Sequence, residues 1–298
     1  MNFGEIKLGE KMERNQLCWC GSGLKYKWCH NPIEEKVKLH QLKGDIVPET
    51  QLLKTEKQIE KIREAAMVNT LVLDTVESKI KAGMNTEEIN TLAYGIITEH
   101  GGIPATLNYE GYPKSVCVSI NNEICHGIPS KSRILKEGDI VNVDVATNLD
   151  GYFADASRMF MIGKVSPKAE RLVRITKECV ELGLAQAKPW GYLGDIADAI
   201  NTHAIANGYS VVVDIGGHGI GLDFHEDPFV SYVSPKGSEM LLVPGMIFTI
   251  EPMINEGCEN FFVDQDNEWT VYTMDGGLSA QVEYMVLITS RGAEVLAR

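Results

Sequence analysis

The sequence lacks a long apolar segment, and it lacks a regular set of cysteines. No run of about 18 apolar residues is present, so we expect no membrane-spanning helix. The seven cysteines are an odd number and show no regular spacing beyond His30. This usage is typical of a reducing compartment, and we expect a cytoplasmic protein. The first residues, MNFGEIKLGEKMER, are charged and do not have the apolar segment of a signal peptide.

Basic charge is scarce over most of the chain. Residues 49–298 contain 20 Lys and Arg against 35 Asp and Glu, whereas residues 1–48 contain 8 against 6. A domain with this excess of negative charge does not offer the basic surface that binds nucleic acid, and we expect no DNA partner. The length of 298 residues suits one large domain with an appendage. We therefore predict an N-terminal extension over 1–48 and a main domain over 49–298.

The extension contains a cluster of metal-binding residue types over 18–30, with the sequence CWCGSGLKYKWCH. Three thiols and one imidazole have the number and type of donors of a tetrahedral zinc site, and Gly-Ser-Gly supplies a tight turn. The alternative is an unstructured tail whose cysteines happen to cluster. The stretch resembles the SEC-C motif, a small zinc-binding module. That resemblance implies one structural Zn held by Cys18, Cys20, Cys29 and His30.

Basic and aromatic residues alternate between these predicted ligands, as Lys25, Tyr26, Lys27 and Trp28. Such a surface suits docking on ribosomal RNA or on a protein partner, and the alternative is a set of solvated lysines around a minimal core. Residues 31–50, which include two prolines and Gly44, are predicted to form a linker.

Two pairs of helices are predicted in the main domain. Thr55 and Gln58 form a capping box at the start of a helix that runs to Ala82, before the stop signal Gly83. A second helix begins near Asn85 and Thr86 and ends at Gly101-Gly102. A similar pair follows later in the chain, from Ser166-Pro167 to Lys188-Pro189 and from about Gly194 to Asn207-Gly208.

Matching residues in the two helix pairs suggest an internal repeat. Four pairs share one and the same spacing: Lys81 with Lys188, Glu88 with Asp195, Ile89 with Ile196, and Gly101 with Gly208. Each helix pair precedes strand-like sequence, at Lys114 to Ile120 in the first half and at Val211 to Asp214 and Met246 to Glu251 in the second. We expect an α+β fold with two pseudo-symmetric α/β halves around a largely antiparallel sheet. Coincidental helix spacing is the alternative.

The segment 140–160, IVNVDVATNLDGYFADASRMF, has the pattern of a β-hairpin. Its apolar residues alternate with polar ones, and Asp150-Gly151 is a strong hairpin turn. With these two residues in the turn, Ala146 faces Asp155, and Leu149 pairs with Tyr152. Asp144 is then the diagonal neighbour of Asp155 on one face. Two carboxylates aimed at one point repel each other, and a divalent metal, or two, would relieve that repulsion.

Three further polar residues stand where apolar ones are expected. His218 lies in the glycine-rich loop sequence GGHGIGL, Glu251 ends the strand sequence MIFTIEP, and Glu283 sits in the strand sequence QVEYMVLIT. With the two aspartates they make four carboxylates and one imidazole. This donor set suits a two-metal hydrolytic site with Mn, Fe, Co or Zn. For any one of these residues the alternative is a salt-bridged structural carboxylate.

The order and spacing of His126, Asp144, Asp155, His218, Glu251 and Glu283 resemble the methionine aminopeptidases of type I, and the match spans residues 50–298. Type II members carry a long insertion between the last two of these positions, and this chain has no room for it. The resemblance implies the pita-bread fold and a dinuclear-metal-dependent aminopeptidase. Such an enzyme removes the initiator methionine from nascent chains with a small second residue, by attack of a metal-bridging hydroxide.

The same resemblance implies a role for each site residue. Asp144 binds one metal, His218 and Glu251 bind the other, and the bridging ligands are Asp155 and Glu283. Glu251 also transfers the proton from the attacking water to the leaving nitrogen. The resemblance places His126 and His225 outside the metal ligands, where they hydrogen-bond the substrate and stabilise the tetrahedral intermediate; the alternative for both is a core histidine.

The resemblance also locates the substrate pocket. Aromatic rings with a soft sulfur suit a thioether side chain, and the pocket positions are Tyr109, Tyr112, Cys117, Phe224 and Trp269. Thr106 departs from the pattern, since some type I enzymes have cysteine there. Without the resemblance, each of these aromatic residues reads as ordinary core.

Two other functions are alternatives to this one. One is a prolidase or an enzyme like aminopeptidase P, although those relatives carry a large N-terminal domain that the short extension over 1–48 cannot supply. The other is a metal-free binding module of the same fold, which the presence of all five ligands and both histidines disfavours. The family resemblance also suggests a monomer.

Overall fold

The computed structural model describes residues 12–298. The first 11 residues, which begin the N-terminal segment predicted not to be a signal peptide, lie outside the described part. Within it, no helix is both long and apolar enough to cross a membrane. The described residues form five α-helices: α1 (Asn31–Leu42), α2 (Glu56–Lys79), α3 (Thr86–Glu99), α4 (Pro167–Gln186) and α5 (Leu193–Ala206).

The strands are short except in the central hairpin. In chain order they are β1 (Ile103–Pro104), β2 (Cys117–Ile120), β3 (Glu123–Cys125), β4 (Ile140–Leu149), β5 (Tyr152–Met161), β6 (Ser210–Val211), β7 (Gly217–Gly219), β8 (Glu226–Val230), β9 (Ile247–Ile250), β10 (Met253–Asn255), β11 (Phe261–Val263), β12 (Val271–Thr273), β13 (Ser279–Gln281), β14 (Tyr284–Thr289) and β15 (Gly292–Ala297). All pairings between these strands are antiparallel. The prediction of a largely antiparallel α+β fold is confirmed.

Capping residues fix where the helices of the first pair begin. The Thr55 side chain accepts a hydrogen bond from the Gln58 amide, and the Gln58 side chain accepts one from the Thr55 amide, as the predicted capping box requires. Asn85 and Glu88 form the same arrangement at the start of α3. Helix α2 ends at Lys79 rather than at the predicted Ala82, because Ile80 already has extended backbone angles.

The residues matched by the internal repeat occupy equivalent places in the two halves. Glu88 in α3 and Asp195 in α5 both stand at the third position of their helix and accept a hydrogen bond from the backbone just before it. Gly101 and Gly208 both follow the helix with φ of +79° and +80°. This left-handed backbone suits glycine, which ends helices in this way. These equivalences support two related halves.

The central hairpin has the predicted register. Ala146 pairs with Asp155, and Leu149 pairs with Tyr152, so that Asp144 and Asp155 are diagonal neighbours across β4 and β5. Asp150 and Gly151 both have positive φ, at 54° and 83°. A two-residue turn of this kind follows the twist of the strands and leaves one register for the pairing.

Each helix pair covers its own hydrophobic core. Helices α2 and α3 pack on the hairpin of β4 and β5, whereas α4 and α5 pack on β9 and β14. Fully buried aliphatic residues fill both cores, and each such side chain stabilises the fold by roughly 1.5–3 kcal/mol. A single bridge between Ser157 and Glu283 connects β5 to the start of β14. The two halves therefore meet along the line of the acidic residues.

Three of the predicted strands are shorter in the structure. The strand predicted over Lys114 to Ile120 begins only at Cys117, and the one predicted over Val211 to Asp214 consists of β6 alone. The strand predicted over Met246 to Glu251 is limited to β9.

The prediction of a linker over residues 31–50 was wrong for its first part, which forms helix α1. Pro32 lies in the first turn of α1, where a missing amide hydrogen costs nothing, and Gly44 has φ +91° just beyond its end. Proline and glycine thus mark the two ends of a helix here rather than a flexible connection.

Helix α1 packs against the second half of the main domain. Ile33 and Val37 contact its hydrophobic core. The Lys36 ammonium lies 3.9 Å above the centre of the Trp190 ring, and the His40 ring stacks on the same indole with centroids 6.1 Å apart. Beyond the helix, a backbone hydrogen bond of 2.8 Å from the Leu241 amide to the Ile46 carbonyl continues this contact. The extension is thereby held against the main domain.

Candidate active site

A cavity of about 350 Å³ lies between the two halves. Its walls contain every residue predicted for the metal site and the substrate pocket: Asp144, Asp155, His218, Glu251, Glu283, His126, His225, Tyr109, Tyr112, Cys117, Phe224 and Trp269. These residues come from both halves of the chain, so the fold brings together side chains that are far apart in sequence. Thr106 lines the same cavity.

The acidic residues and one histidine converge at the floor of the cavity. One donor atom from each of Asp155, His218 and Glu283 lies within 4.8 Å of the other two. His218 Nε2 is 3.8 Å from Asp155 Oδ2 and 3.7 Å from Glu251 Oε1. Asp144 reaches the same place from β4, as the neighbour of Asp155 in the hairpin.

Burial and mutual repulsion disfavour the charged carboxylates in the absence of a cation. Burial raises the pKa of Asp144 to about 6 and that of Glu251 to about 8. It also raises the pKa values of Asp155 and Glu283 well above their ordinary range, and the neighbouring carboxylates add to both shifts. Burial lowers the pKa of His218 to about 3, so its imidazole is neutral and able to bind a metal.

Unpaired buried oxygens show that this donor set fits divalent cations. Asp155 Oδ1 and Glu283 Oε1 are buried and have no hydrogen-bond partner among the described residues. A buried carboxylate oxygen without a partner costs free energy that coordination to a cation would recover. Four carboxylates and one neutral imidazole match the ligand preferences of Mn, Fe, Co and Zn.

Two residues that sequence analysis missed orient Glu251. The Thr249 hydroxyl donates to Glu251 Oε1 at 2.6 Å, and the Gln281 amide donates to Glu251 Oε2 at 3.0 Å. Thr249 Oγ1 also accepts the His218 amide at 3.0 Å. A signal was available in the sequence, because Thr249 and Gln281 each stand two positions before a predicted ligand, the spacing of side chains on one face of a strand.

The backbone around two predicted ligands differs from expectation. His218 lies in the short strand β7 rather than in a loop. Its neighbours must be glycine, because a Cβ on Gly217, for example, would come within 2.3 Å of the Tyr232 hydroxyl. Glu283 lies between β13 and β14 rather than within a strand, and its backbone pairs with Ser157. That interruption directs the Glu283 side chain to the cavity.

The two histidines predicted to contact substrate both line the cavity. His126 has a left-handed backbone with φ 57°, a strained conformation that often occurs at functional sites. Burial lowers its pKa to about 4, and burial also lowers the pKa of His225. His225 Nδ1 is 2.9 Å from the Tyr109 hydroxyl, and its ring lies 4.2 Å from that of His218.

Aromatic rings enclose the part of the cavity predicted to hold the substrate side chain. Tyr112 and Trp269 meet edge to face with centroids 5.1 Å apart, and Tyr109 meets Phe224 in the same way at 4.8 Å. The hydroxyl of Thr106 donates to a backbone carbonyl at 3.1 Å, so its polar group is satisfied away from an apolar ligand. The Tyr112 hydroxyl also donates to backbone carbonyls, of Val116 and Gly127, so both of these hydroxyls are paired within the protein.

The four predicted zinc ligands of the extension also come together. Cys18 Sγ is 3.1 Å from His30 Nδ1, and Cys20 Sγ is 3.4 Å from Cys29 Sγ. One donor atom from each of the four lies within 4.8 Å of the others. This arrangement has the donor count and type of a tetrahedral Zn site.

Comparison with known proteins assigns both parts of the chain to families. Residues 60–290 match the model of metallopeptidase family M24, and residues 14–32 match that of the SEC-C motif. Methionine aminopeptidase A of Synechocystis sp. is 46% identical over 83% of this chain and 98% of its own length. A methionine aminopeptidase of Chlamydia trachomatis is 41% identical over 96% of this chain and 98% of its own length.

Solved structures agree with this assignment. The methionine aminopeptidase of Rickettsia prowazekii superposes with a TM-score of 0.81 at 42% identity, over 83% of this chain and 99% of that one. A prolidase of Pyrococcus furiosus superposes with a TM-score of 0.67 at 22% identity, over 83% of this chain and 65% of its own length, which shows a shared fold alone. The chain therefore belongs to metallopeptidase family M24, and within it to the methionine aminopeptidases.

Proposed function

We propose that this protein removes the N-terminal methionine from nascent polypeptides whose second residue is small. The observation that supports this most is that the buried acidic cluster and a group of aromatic rings with a cysteine line one and the same cavity. The cluster supplies the donors of a hydrolytic metal site, and the cavity suits an unbranched thioether side chain.

We propose that Asp144 would hold one divalent metal, that His218 and Glu251 would hold a second, and that Asp155 and Glu283 would serve as the bridging ligands. The convergence of Asp155, His218 and Glu283, the closeness of His218 to Glu251, and the unpaired oxygens of Asp155 and Glu283 support this assignment. When bound, such metals supply Lewis acidity and activate water for hydrolysis near neutral pH. Co, Mn, Fe and Zn are all compatible with these donors.

The chain's own side chains then handle the proton and the substrate. Glu251, held by Thr249 and Gln281, accepts the proton of the attacking water and delivers it to the leaving nitrogen. His126 and His225 lie on the cavity wall, where they hydrogen-bond the substrate and stabilise negative charge that develops on the scissile carbonyl oxygen. A free substrate α-amino group would bind beside these carboxylates and the metals they would hold, and this requirement for a free amine would make the enzyme an exopeptidase.

Peptide selectivity provides the test of this function. We expect metal-stripped protein refilled with Co or Mn to cleave Met-Ala-Ser, and to leave Met-Leu-Ser and Ala-Pro-Ala intact. Asp144→Ala is the matched inactive control. Cleavage of Ala-Pro-Ala would instead indicate a prolidase-like enzyme, and no cleavage with either metal would indicate a binding module.

We propose that residues 1–48 and residues 49–298 have separate roles. In the extension, Cys18, Cys20, Cys29 and His30 hold one structural Zn, which their convergence supports. The exposed Lys25 and Trp28, together with the net positive charge of residues 1–48, suit docking on ribosomal RNA.

The ribosome-docking proposal has its own experiment. Full-length protein should co-sediment with ribosomes at low salt, and Lys25→Glu with Lys27→Glu should weaken this without changing Met-Ala-Ser hydrolysis. Equal sedimentation of both proteins would mean that the motif only stabilises the extension. We further propose a monomeric protein that acts in the cytoplasm, where nascent chains are available.

A further inference from the structure

A buried ion pair connects the start of α2 to the loop 221–226, which forms part of the cavity wall. The Lys54 ammonium pairs with Glu226 Oε2, and the side chains are only 1% and 12% exposed. Such a pair is stabilising only when its remaining hydrogen-bonding groups are also satisfied, because both charges have been removed from water. The other hydrogen bonds of Glu226 therefore decide whether this ion pair is stabilising.

The second carboxylate oxygen of Glu226 organises the backbone of this loop. Glu226 Oε1 accepts the Leu222 amide at 2.6 Å and the Asp223 amide at 3.0 Å. The Asp223 side chain in turn accepts the Phe224 amide at 2.8 Å. One carboxylate thus fixes a tight turn, and Lys54 holds that carboxylate in place.

The turn carries two side chains of the proposed substrate site. Phe224 packs edge to face on Tyr109, and His225 contacts both Tyr109 and the ring of His218. Phe224 and His225 come immediately after Leu222 and Asp223, the two residues whose amides bind Glu226. A displacement of the turn would move both side chains together.

Lys54 is itself held rigidly. Its amide donates to the Gly245 carbonyl at 2.8 Å, and the next residue caps helix α2. The lysine side chain also passes closely under Gly221, whose Cβ, if present, would lie 3.2 Å from Lys54 Cε and 2.7 Å from Ile62 Cδ1. The position of the Lys54 ammonium group is therefore fixed, and through Glu226 it holds the loop 221–226 in place.

We propose that Lys54 and Glu226 are positioning residues that set the geometry of Phe224 and His225 for substrate binding and catalysis. Neither residue lines the cavity. This inference rests on the proposed function, and it deepens it by naming the residues that hold one wall of the substrate site in place.

The kinetic test compares three variants of the metal-loaded protein. Lys54→Met should lower kcat/KM for Met-Ala-Ser by about 10- to 100-fold, the size expected when reacting groups are misplaced by about an ångström. Lys54→Arg, which keeps the charge, should recover part of this loss. Arg63→Met is the control, because it removes a more exposed ion pair nearby, between α2 and Glu294, at a place outside the cavity wall. It should leave kcat/KM unchanged.

Amide hydrogen exchange gives a second readout that does not depend on activity. In Lys54→Met the Leu222 and Asp223 amides should exchange faster, while amides in the core of α2 keep their protection. Where Lys54→Met does not fold, Glu226→Gln replaces it, since the amide keeps one acceptor oxygen and nearly the same volume. Unchanged protection of both loop amides would overturn the proposal, even if kcat/KM fell. If wild-type protein did not cleave Met-Ala-Ser, the proposed function would fail while the exchange result still decided the role of Lys54.

Discussion

In the metal-free protein, individual carboxyl groups of the cavity keep protons, and metal binding would displace these protons. Glu251, with a pKa of about 8, and Asp144, with a pKa of about 6, lie well above the values near 4 of unfolded carboxyl groups. Addition of metal near pH 7 should therefore release protons. Calorimetric titration in buffers of different ionisation enthalpy measures that release, and a heat independent of buffer would contradict it.

The same pKa values predict how the stability of the metal-free protein depends on pH. The raised carboxyl pKa values contribute stability that is complete below about pH 4 and is lost as pH rises through about 6 and 8. The lowered histidine pKa values act oppositely, and their contribution is complete above about 6.5, the pKa of unfolded histidine. Above a pH of about 6.5, only the raised carboxyl pKa values still make the stability depend on pH.

We therefore expect the Tm of the metal-free protein to fall by a few degrees as pH rises from about 6.5 to 8, the window between these pKa values. Metal-loaded protein should show no such fall, because its carboxylates are already deprotonated. Thermal melts of chelated and loaded samples in parallel measure this. A Tm that rises in the chelated sample over this range would contradict the assignment of the buried carboxyls.

Substitutions should separate the residues that bind metal from those that contact substrate. His126→Asn should lower kcat by about 10²- to 10³-fold, the effect of removing one group that stabilises developing charge, and leave the metal content unchanged. Glu283→Gln should lower the metal content itself, because it removes a proposed bridging ligand. Metal analysis together with tripeptide kinetics distinguishes these outcomes. Loss of metal from the histidine variant would place His126 among the ligands.

At the scale of elements, the central hairpin was predictable because one local signal fixed it. The Asp150-Gly151 turn allows a single register, and the pairing of Ala146 with Asp155 follows by counting along the chain. Helix starts at Thr55 and Asn85 were equally local, since each capping group lies within one helical turn of its partner.

Elements that depend on distant partners were not predictable in the same way. Helix α1 has no buried residue, and the residues it packs on, Trp190 among them, lie far along the chain in the second half. The break between β13 and β14 depends on the pairing of Glu283 with Ser157 across the halves. Lys54 and Glu226 are 172 positions apart, and neither one suggests the other in the sequence.

Strand β7 depends on glycine at close backbone contacts. In Gly217→Ala the new Cβ would come within 2.3 Å of the Tyr232 hydroxyl and 2.6 Å of the Thr249 carbonyl. We expect this variant to be destabilised by about 1–3 kcal/mol, as for overpacked cores, and to displace His218. Denaturant unfolding measures the first effect and metal content measures the second.

Gly95→Ala is the control for that substitution. Gly95 lies inside α3, and a Cβ there would have no atom within 4 Å. Alanine in place of glycine inside a helix should leave stability equal or raise it by roughly 0.5–1 kcal/mol. Wild-type stability in Gly217→Ala would show that β7 can move to accept the extra carbon.

At the scale of the whole molecule, the extension has its own proposed metal and its own contact with the main domain. Replacing both Cys20 and Cys29 by Ser should remove about one zinc ion per chain, since two of four ligands are lost. Met-Ala-Ser hydrolysis should persist, because the proposed catalytic ligands all lie in the main domain. Simultaneous loss of zinc and of hydrolysis would show that the zinc-bound extension supports the active site.

The hairpin and the cavity together determine the order in which the proposed metal centre is assembled. Asp144 and Asp155 meet through a contact that is local in the chain, whereas Glu283 reaches them only after the second half has folded against the first. Local contacts form readily and distant ones late, so the full set of donors exists only at the end of folding. Binding of both metals would then require a completely folded chain. A misfolded copy would lack the complete set of ligands, and we expect it to be inactive for that reason.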